Sequence, residues 1–189
     1  PTEAYDDGFP AQVMGDGPTE RSRVTPQLLV TLINSARQRL TISTPYFVPD
    51  ATVLEALCAA AWRGVAVTLI FPRRNDSWVV AAASRSHYPR LLQAGVRIFE
   101  FKGGLLHAKT LTVDDTLTFI GSTNLDLRSF DLNYENNVLL QDATTTAAVH
   151  ARQQDYIAAA TAVTLAEVEA WSYGRRIWHN VLATVGPVL

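Results

Sequence analysis

LLHAKTLTVDDTLTFIGSTN (residues 105–124) is the stretch from which the fold of this chain can be worked out. Two β-branched and apolar runs flank the acidic pair Asp114 and Asp115, which predicts two strands joined by a tight turn. Alternation along the first strand places His107 and Lys109 on one face, about 6–7 Å apart at the backbone. A strand that only packs against a core needs neither side chain, so the pair calls for a chemical explanation.

The turn allows two registers between these strands. If residues 115 and 116 form the loop, Lys109 faces Ser122 and His107 faces Asn124. If residues 114 and 115 form it, His107 faces Ser122 instead. Both registers gather the same groups, and the turn residues do not decide between them.

An imidazole, an ammonium, a hydroxyl and a carboxamide would therefore converge on this face. An imidazole such as that of His107 can act as nucleophile or proton donor. Lys109, Ser122 and Asn124 carry donors suited to the non-bridging oxygens of a phosphoryl group. The small Gly121 would let a phosphate approach the backbone. The combination indicates phosphodiester chemistry.

Each of these residues also has a simpler interpretation. A lone strand histidine is more often structural than catalytic, and a lone lysine is normally solvated. A metal site is disfavoured, because lysine is a poor neighbour for a cation and this strand carries no second His, Cys or carboxylate at ligand spacing. No cofactor is predicted. The joint spacing of the residues favours the catalytic interpretation.

The preceding residues predict alternating strands and helices. Asp50 is expected to cap one helix that Gly64 ends, while Thr25 caps an earlier helix with Pro26 at its first position. The run VAVTLIFP reads as a strand covered on both faces. The predicted helices lie within residues 25–40, 51–64 and 77–94, and the predicted strands within residues 40–48, 65–72 and 96–101. This alternation predicts an α/β fold with a mixed, mainly parallel β-sheet flanked by α-helices.

The two ends of the chain complete a single predicted domain, residues 1–189. Residues 1–17 read as a loose N-terminal segment with one short strand near residues 12–14. A further strand is predicted at residues 136–142, and residues 144–189 read as C-terminal helices. Neither a linker nor an internal repeat divides the chain.

Composition narrows the class of protein. The chain is 48% hydrophobic and 18% charged, with net charge −2 and a pI near 6.1. This balance disfavours nucleic acid as a partner, since nucleic-acid-binding domains usually carry a basic excess. Cys58 is expected to be a buried thiol in a helix. No run is apolar enough to span a membrane, and Pro1 suggests an excised piece of a longer protein.

The run HAKTLTVD, residues 107–114, has the H-x-K-x4-D form of the phospholipase D superfamily, and GSTN follows at that superfamily's usual distance. Glu135 in NYEN matches the acidic residue that hydrogen-bonds the histidine in this family. The flanking runs TPYFVPD and NLDLRSF narrow the resemblance to the second half of bacterial cardiolipin synthases. The match covers roughly residues 12–185.

The resemblance implies a phospholipase D-like fold and a metal-free transfer of a phosphatidyl group between two phosphatidylglycerols through a phosphohistidine. His107 would be one of two catalytic histidines, and Lys109, Ser122 and Asn124 would hold the phosphoryl oxygens. Glu135 would fix the imidazole tautomer. Asp114, although part of the motif, is expected to pin the turn. The parent protein would work at the cytoplasmic face of the bacterial inner membrane, and this piece would itself be soluble.

One departure from the family pattern leaves alternatives open. The family uses two H-x-K-x4-D motifs, and this chain has one. A missing first half or a second copy of the chain would have to supply the other motif. A homodimeric nuclease of the same superfamily and a non-catalytic half are the competing interpretations. His87, His150 and His179 have no such pattern and are interpreted as surface or packing residues.

The C-terminal run RRIWHNVLATVGPVL forms an apolar stripe at helical spacing, made of Ile177, Trp178, Val181, Leu182 and Val185. Two arginines, residues 175 and 176, begin it. The stripe either packs on the domain's own core, or lies at a lipid surface or against the missing half.

Overall fold

A mixed β-sheet organises the part of the chain that this computed structural model describes, which is residues 8–19, 21 and 23–185. The strands are β1 (Ala11–Asp16), β2 (Arg39–Ser43), β3 (Phe47–Val48), β4 (Ala66–Pro72), β5 (Arg97–Phe101), β6 (Thr110–Val113), β7 (Leu117–Gly121), β8 (Leu125–Asp126), β9 (Glu135–Gln141) and β10 (Ala160–Val163). The helices are α1 (Val24–Ser35), α2 (Ala51–Trp62), α3 (Trp78–Ser86), α4 (Tyr88–Gln93), α5 (Leu127–Asp131), α6 (Ala143–Ala158), α7 (Leu165–Glu169) and α8 (Tyr173–Val185).

Eight strands form the main sheet in the order β1-β9-β7-β6-β2-β4-β5-β10, and β3 pairs with β8 apart from it. Within the described sheet β2–β4 and β4–β5 are parallel, and the other five pairings are antiparallel. The predicted mixed α/β sheet is confirmed, but its mainly parallel character is wrong. The reason is that the parallel centre is extended on both sides by a hairpin and by edge strands, which pair antiparallel.

The parallel centre follows the sequence signals closely. Six of the seven residues of β4 are buried, as expected for a strand covered on both faces. The side chain of Asp50 caps α2 by accepting a hydrogen bond from the Val53 N–H at 2.9 Å. Gly64 follows α2 with φ +90°, a conformation that a side chain would strain. Cys58 lies fully buried in α2, as predicted, and burial raises its thiol pKa.

Helices cover the two faces of this sheet differently. From α6, Gln153 accepts a hydrogen bond from Thr112 at 2.8 Å and donates one to the Thr41 carbonyl at 3.2 Å. Thr146 of α6 bonds to Thr118 at 2.8 Å. Ile42 and Leu111 alternate with these threonines and are buried in the apolar core, which α1 and α2 contribute to. The core is therefore apolar on one face and contains a hydrogen-bonded threonine row on the other.

Two predicted helix boundaries are wrong. Helix α1 begins at Val24, before the predicted N-cap Thr25. The Asp16 carboxylate accepts the Thr25 backbone N–H at 3.1 Å and therefore provides the capping that was predicted for the Thr25 hydroxyl. The predicted helix at residues 77–94 is two helices that meet at His87. The break follows from Pro89, which has no N–H to continue the helix and restricts the residue before it.

Two further predictions, the strand at residues 40–48 and the wholly helical C-terminal part, are wrong because contacts between distant residues decide both. The predicted strand at residues 40–48 ends at Ser43, after which Pro45 breaks it and Phe47–Val48 pairs with β8. The C-terminal part is not wholly helical, because Ala160–Val163 pairs antiparallel with β5 and covers its otherwise open edge. The strand predicted near residues 12–14 is confirmed as β1 and pairs with β9. Residues 1–7 and 186–189 lie outside the described part.

The β6–β7 hairpin has neither of the predicted registers. Val113 pairs with Leu117, which leaves a three-residue connection that begins with Asp114 at φ +50°. Aspartate tolerates this left-handed conformation better than most residues, so it shifts the register by one position from either prediction. Strand β6 also begins at Thr110, so His107 and Lys109 lie in the segment that leads into it.

Asp114 pins this turn to the neighbouring strand. Its carboxylate accepts the backbone N–H groups of Arg37 at 3.2 Å, Gln38 at 2.8 Å and Arg39 at 2.9 Å. Its own N–H donates to the Arg39 carbonyl at 2.8 Å. Partial burial alone would raise the pKa of Asp114, but the three backbone N–H bonds and the Arg39 charge outweigh it and lower the pKa. The expected structural role of Asp114 has a direct physical basis.

We predict that Asp114→Ala destabilises the protein by about 1–3 kcal/mol, because three backbone donors lose a charged acceptor. Because the pKa of Asp114 is lower in the folded than in the unfolded protein, its carboxylate stabilises the fold at pH values above the unfolded pKa, near 4. This stabilisation is lost as the pH falls through the pKa of the folded state. Urea unfolding at neutral and acidic pH should therefore show a difference between parent and variant that shrinks in acid. Asp115→Ala is the matched control, since Asp115 makes only an exposed pair with Arg39, and it should cost much less. Equal effects of the two substitutions would contradict the role of Asp114.

Candidate active site

The candidate site lies at one edge of the sheet. The carboxyl ends of the parallel strands β2, β4 and β5 share this edge. Since β6 is antiparallel to β2, its amino end reaches the same edge, together with the carboxyl end of β7 and the amino end of β9. Asp114 is at the opposite edge, about 20 Å from His107 along the strand.

His107 and Lys109 lie side by side at this edge. The Lys109 Nζ atom is 3.1 Å from Nδ1 and 3.4 Å from Nε2 of His107, and it also donates to the His107 carbonyl at 3.2 Å. His107 is exposed, whereas Lys109 is half-buried. Burial lowers the pKa of Lys109, and the charges of Glu135 and Asp126 partly oppose this by raising it. An exposed imidazole with an adjacent ammonium can bind and attack a phosphoryl group.

Tyr46 supports His107 from the loop after β2. Its ring meets the imidazole edge to face, with centroids 6.3 Å apart. Its hydroxyl donates to Asp76, with both carboxylate oxygens at 2.8 Å, and the Thr44 hydroxyl fixes the Tyr46 carbonyl at 2.9 Å. Burial, followed by the hydrogen bond and charge of Asp76, raises the pKa of Tyr46 to about 12. The sequence-based analysis missed Tyr46 as a site residue, although its place after a central strand is where site residues gather in such sheets.

Glu135 is buried at the start of β9 and bonds to residues other than His107. It accepts a hydrogen bond from the Ser122 hydroxyl and another from the Asn133 side chain at 3.1 Å. Among the described residues it makes no hydrogen bond to His107. The Ser122 oxygen also accepts the Asn136 N–H at 2.9 Å. The Ser122 hydroxyl was predicted to donate to a phosphoryl oxygen. In this structure it donates to Glu135 instead.

Gly121 is required for a reason that the sequence did not show. A Cβ at this position would lie 2.0 Å from the Asn137 Oδ1 atom and 2.7 Å from the Asn136 carbonyl. Asn137 is fully buried and donates to Thr25 at 3.3 Å and to Thr123 at 2.8 Å. The space beside Gly121 is therefore filled by this asparagine network, and the glycine serves packing between β7 and β9.

Asn124 lies in a neighbouring pocket rather than against Lys109. Its side-chain amide donates to the Ser129 hydroxyl at 3.2 Å, and its Oδ1 atom is buried without a partner in the described structure. The pocket has a volume of about 300 Å³ and also contains Tyr46, Asp126 and Val80. Since Tyr46 contacts both this pocket and His107, the two parts of the site adjoin.

Asp126 is a second residue that the sequence-based analysis missed. It caps α5 by accepting the Ser129 N–H at 2.7 Å. Burial raises its pKa, with a further contribution from the charge of Glu135, while the hydrogen bonds from Ser129 oppose the shift. Its position after GSTN did not identify it as a site residue. Aspartate is a common helix cap, and the sequence pattern is the same whether or not the capping aspartate faces a site.

The other histidines are packing or surface residues, as predicted. His87 packs edge-on against Phe47, and burial lowers its pKa to about 4. His179 is buried and packs edge-on against Trp171. His150 lies 3.1 Å from the Gln154 amide on α6. In the described residues no group of three or more His, Cys, Asp or Glu side chains is arranged to hold a metal ion.

Solved structures show which known fold the chain shares. The nuclease Nuc from Salmonella typhimurium, a phospholipase D family member, aligns with a TM-score of 0.70 at 20% identity, over 82% of this chain and 99% of that one. Phosphatidylserine synthase from Haemophilus influenzae aligns with a TM-score of 0.70 at 17% identity, over 94% of this chain and 45% of that one. At these identities the likeness concerns the fold, which is phospholipase D-like.

The family follows from sequence. Residues 29–156 match the family model described as "Cardiolipin synthase, PLD-like domain", and the chain belongs to this family. It is 41% identical over 182 residues to Cardiolipin synthase A of Proteus mirabilis and 43% identical over 174 residues to that of Yersinia pseudotuberculosis. These matches cover 96% and 92% of this chain but 37% and 35% of those proteins. The chain therefore spans little more than a third of their length.

The electrostatics of the site can be tested directly, because the sequence contains only two lysines, Lys102 and Lys109. We predict that Glu135→Gln lowers the pKa of Lys109 further, since it removes a negative charge that favours the ammonium form. NMR titration of protein labelled with ¹³Cε-lysine gives one signal for each lysine. The Lys102 signal is the internal reference and should titrate as in the parent. An unchanged Lys109 titration would show that the Glu135 carboxylate does not act on this amine.

Proposed function

We propose that this chain is one catalytic half of a phosphatidyltransferase that converts two phosphatidylglycerols to cardiolipin and glycerol. The observation that carries the proposal is the His107–Lys109 pair, held beside Tyr46 at the same sheet edge as Ser122, Asn124 and Glu135. The 41–43% identity to proteins named Cardiolipin synthase A supports this substrate class. The similar nuclease fold gives no support for a nuclease, and the acidic balance of the chain disfavours one.

The proposed reaction has two displacements at one phosphorus. A histidine attacks the donor phosphatidylglycerol, so a P–N bond forms and the P–O bond to glycerol breaks, while a second histidine protonates the departing oxygen. The free hydroxyl of the acceptor phosphatidylglycerol then attacks the phosphohistidine. A P–O bond forms, the P–N bond breaks, and the second histidine takes the proton.

His107 supplies one of these two histidines. Lys109 binds a non-bridging phosphoryl oxygen and stabilises the charge that develops in each displacement. Asn124 assists from the adjoining pocket. Glu135 and Ser122 keep the end of β7 in place against β9, and Glu135 also favours the charged form of Lys109. In this assignment Tyr46 positions the imidazole, and Asp114 fixes the far end of β6.

The second histidine comes from another phospholipase D-like half. This chain has one H-x-K-x4-D motif, and its curated relatives are more than twice as long. The candidate partners are a first half of the same protein and a second copy of this chain.

A membrane surface is the proposed location of the substrate, and the C-terminal helix is the proposed contact. In α8, Leu182 is buried, whereas Ile177, Trp178 and Val181 remain 47–51% exposed. Trp178 stacks on Trp78, which begins α3 and is 65% exposed. The stripe thus packs partly on the domain and leaves an apolar patch beside the pocket that α3 lines. No helix in the described residues is long and apolar enough to cross a membrane.

We predict that His107→Asn abolishes transfer in a preparation that contains both motifs, because nucleophilic or proton-transfer catalysis contributes roughly 10²–10⁴-fold. His107 is exposed, and its contacts with Tyr46 and Lys109 lie at the surface, so the melting temperature should stay almost unchanged. Conversion of phosphatidylglycerol to cardiolipin and glycerol is measured by mass spectrometry. His150→Asn, on α6, is the matched control and should retain activity. Full activity of the His107 variant would refute its catalytic assignment.

We predict that Trp178 enters a lipid interface. In a variant that keeps Trp178 and replaces Trp62, Trp78 and Trp171 with Phe, vesicles containing phosphatidylglycerol should shift the fluorescence emission to the blue. A second variant that keeps only Trp62 is the control, because Trp62 is 68% exposed at the end of α2, on the edge away from the site. Its emission should not move. Emission from Trp178 that is unaffected by vesicles would mean that the patch does not face lipid.

A further inference from the structure

A cleft lined by cationic residues lies next to the candidate site. Arg73 and Arg74 directly follow β4, and Lys102 directly follows β5. Together with Gly104 they line a cleft of about 440 Å³. Because β4 and β5 are parallel to β2, these ends lie at the same sheet edge as His107. Nothing in the proposed chemistry at His107 uses this cleft.

The three cations lack acidic partners within the described residues. Glu100, which lines the adjoining surface, pairs with Arg85 at 3.2 Å. Glu167 is used as a helix cap and accepts the Thr164 N–H at 2.8 Å. Other arginines, among them Arg23, Arg39, Arg90 and Arg152, do form ion pairs with described residues. In a chain of net charge −2, three adjacent unpaired cations form a local concentration of positive charge.

The backbone beneath these side chains is fixed. The Arg73 N–H donates to the Phe101 carbonyl at 2.8 Å, and the Arg73 carbonyl accepts Arg85 at 3.4 Å. Lone exposed cations are usually only solvated. Three cationic side chains that share one cleft at hydrogen-bonded strand ends can instead bind a single anion together. Guanidinium groups bind phosphate oxygens bidentately, which makes phosphate the anion that such a pair of arginines suits best.

The spacing of the sheet relates this cleft to the catalytic residues. Strands β6, β2, β4 and β5 are consecutive in the sheet. Adjacent strands lie about 4.8 Å apart, so the ends of β4 and β5 are about 10–14 Å from the amino end of β6. The long arginine side chains cover part of this distance. An anion bound in the cleft would therefore lie near, but not at, a phosphorus bound by Lys109.

We propose that this cleft binds the phosphate of the acceptor lipid while the phosphate of the donor lies at His107 and Lys109. The inference rests on the proposed function and adds the second subsite which that reaction needs. A donor has a single phosphate, which must be at His107 to react. The acceptor carries its own phosphate a short glycerol bridge away from the hydroxyl that attacks. A cationic cleft beside the site holds that phosphate and directs the hydroxyl toward the phosphohistidine.

The two lysines of the chain allow the two subsites to be observed separately. The ¹³Cε signal of Lys102 reports on the cleft, and that of Lys109 reports on the catalytic position. The chain is titrated with dihexanoyl phosphatidylglycerol at concentrations at which it stays monomeric in solution. We expect both signals to shift. In Arg73→Gln/Arg74→Gln the affinity measured at Lys102 should fall about tenfold or more, while the Lys109 shift persists.

The matched control removes two positive charges at the opposite edge. Arg37→Gln/Arg63→Gln should leave both shifts as in the parent, because Arg37 precedes β2 and Arg63 follows α2, away from the cleft. Melting temperatures of both double variants verify that they fold. If both double variants weakened binding at Lys102 equally, the effect would come from net charge alone, and the proposal would be overturned.

Further ligands distinguish the sources of the phosphate. Glycerol should leave Lys102 unchanged, and inorganic phosphate should shift it more weakly than the lipid does. A Lys102 response to inorganic phosphate but not to the lipid would make the cleft a free-anion site, and tighter binding of oligothymidylate than of the lipid would make it a nucleic-acid site. Either result overturns the proposal. A Lys102 shift without a Lys109 shift would instead count against the catalytic assignment while supporting the cleft.

Discussion

The antiparallel pairing of β6 with β2 is the constraint on which the site depends. Three parallel strands deliver their carboxyl ends to one edge of the sheet, and an antiparallel neighbour is what brings an amino end to that edge as well. His107 and Lys109 precede β6, so this pairing places them beside Tyr46, which follows β2. Had β6 run parallel, the pair would be a strand's length away. Asp114 stabilises the arrangement from the opposite end, where its carboxylate binds three N–H groups at the start of β2.

The polar groups at the edge form an outer pair and an inner pair. His107 is exposed and contacts both the amine of the half-buried Lys109 and the ring of Tyr46. Glu135 and Ser122 bond to each other behind them, where burial makes an unpaired carboxylate costly. Because Glu135 is held by Ser122 and Asn133, its influence on the front of the site is through charge. The pKa of Lys109 shows this influence, since the carboxylate counteracts part of the effect of burial.

Residues that act locally could be predicted from sequence, and residues that act through tertiary contacts could not. The cap at Asp50, the stop at Gly64 and the buried run of β4 are local signals, and each appears where the sequence placed it. The motif singles out His107 and Lys109 as candidate site residues because it too is a local signal. The hairpin register was wrong because it depends on the left-handed Asp114, whose partners lie on another strand. The role of Gly121 likewise depends on Asn137, which reaches it from β9. Strand β10 has no strong strand pattern and exists because β5 has an edge to cover.

Helix α3 connects three surfaces that the proposed lipid chemistry would use. Its N-cap Ser77 and Val80 line the pocket that contains Asn124, and Trp78 contributes to the exposed aromatic stack with Trp178. Near its other end, Arg85 holds the Arg73 carbonyl and pairs with Glu100 beside the cationic cleft. One short helix thus fixes the spacing between an apolar patch, a polar pocket and the cationic cleft. A phospholipid presents the same three chemistries in its acyl chains, glycerol and phosphate. Their presence together along α3 supports the proposal of a lipid substrate independently of the catalytic motif.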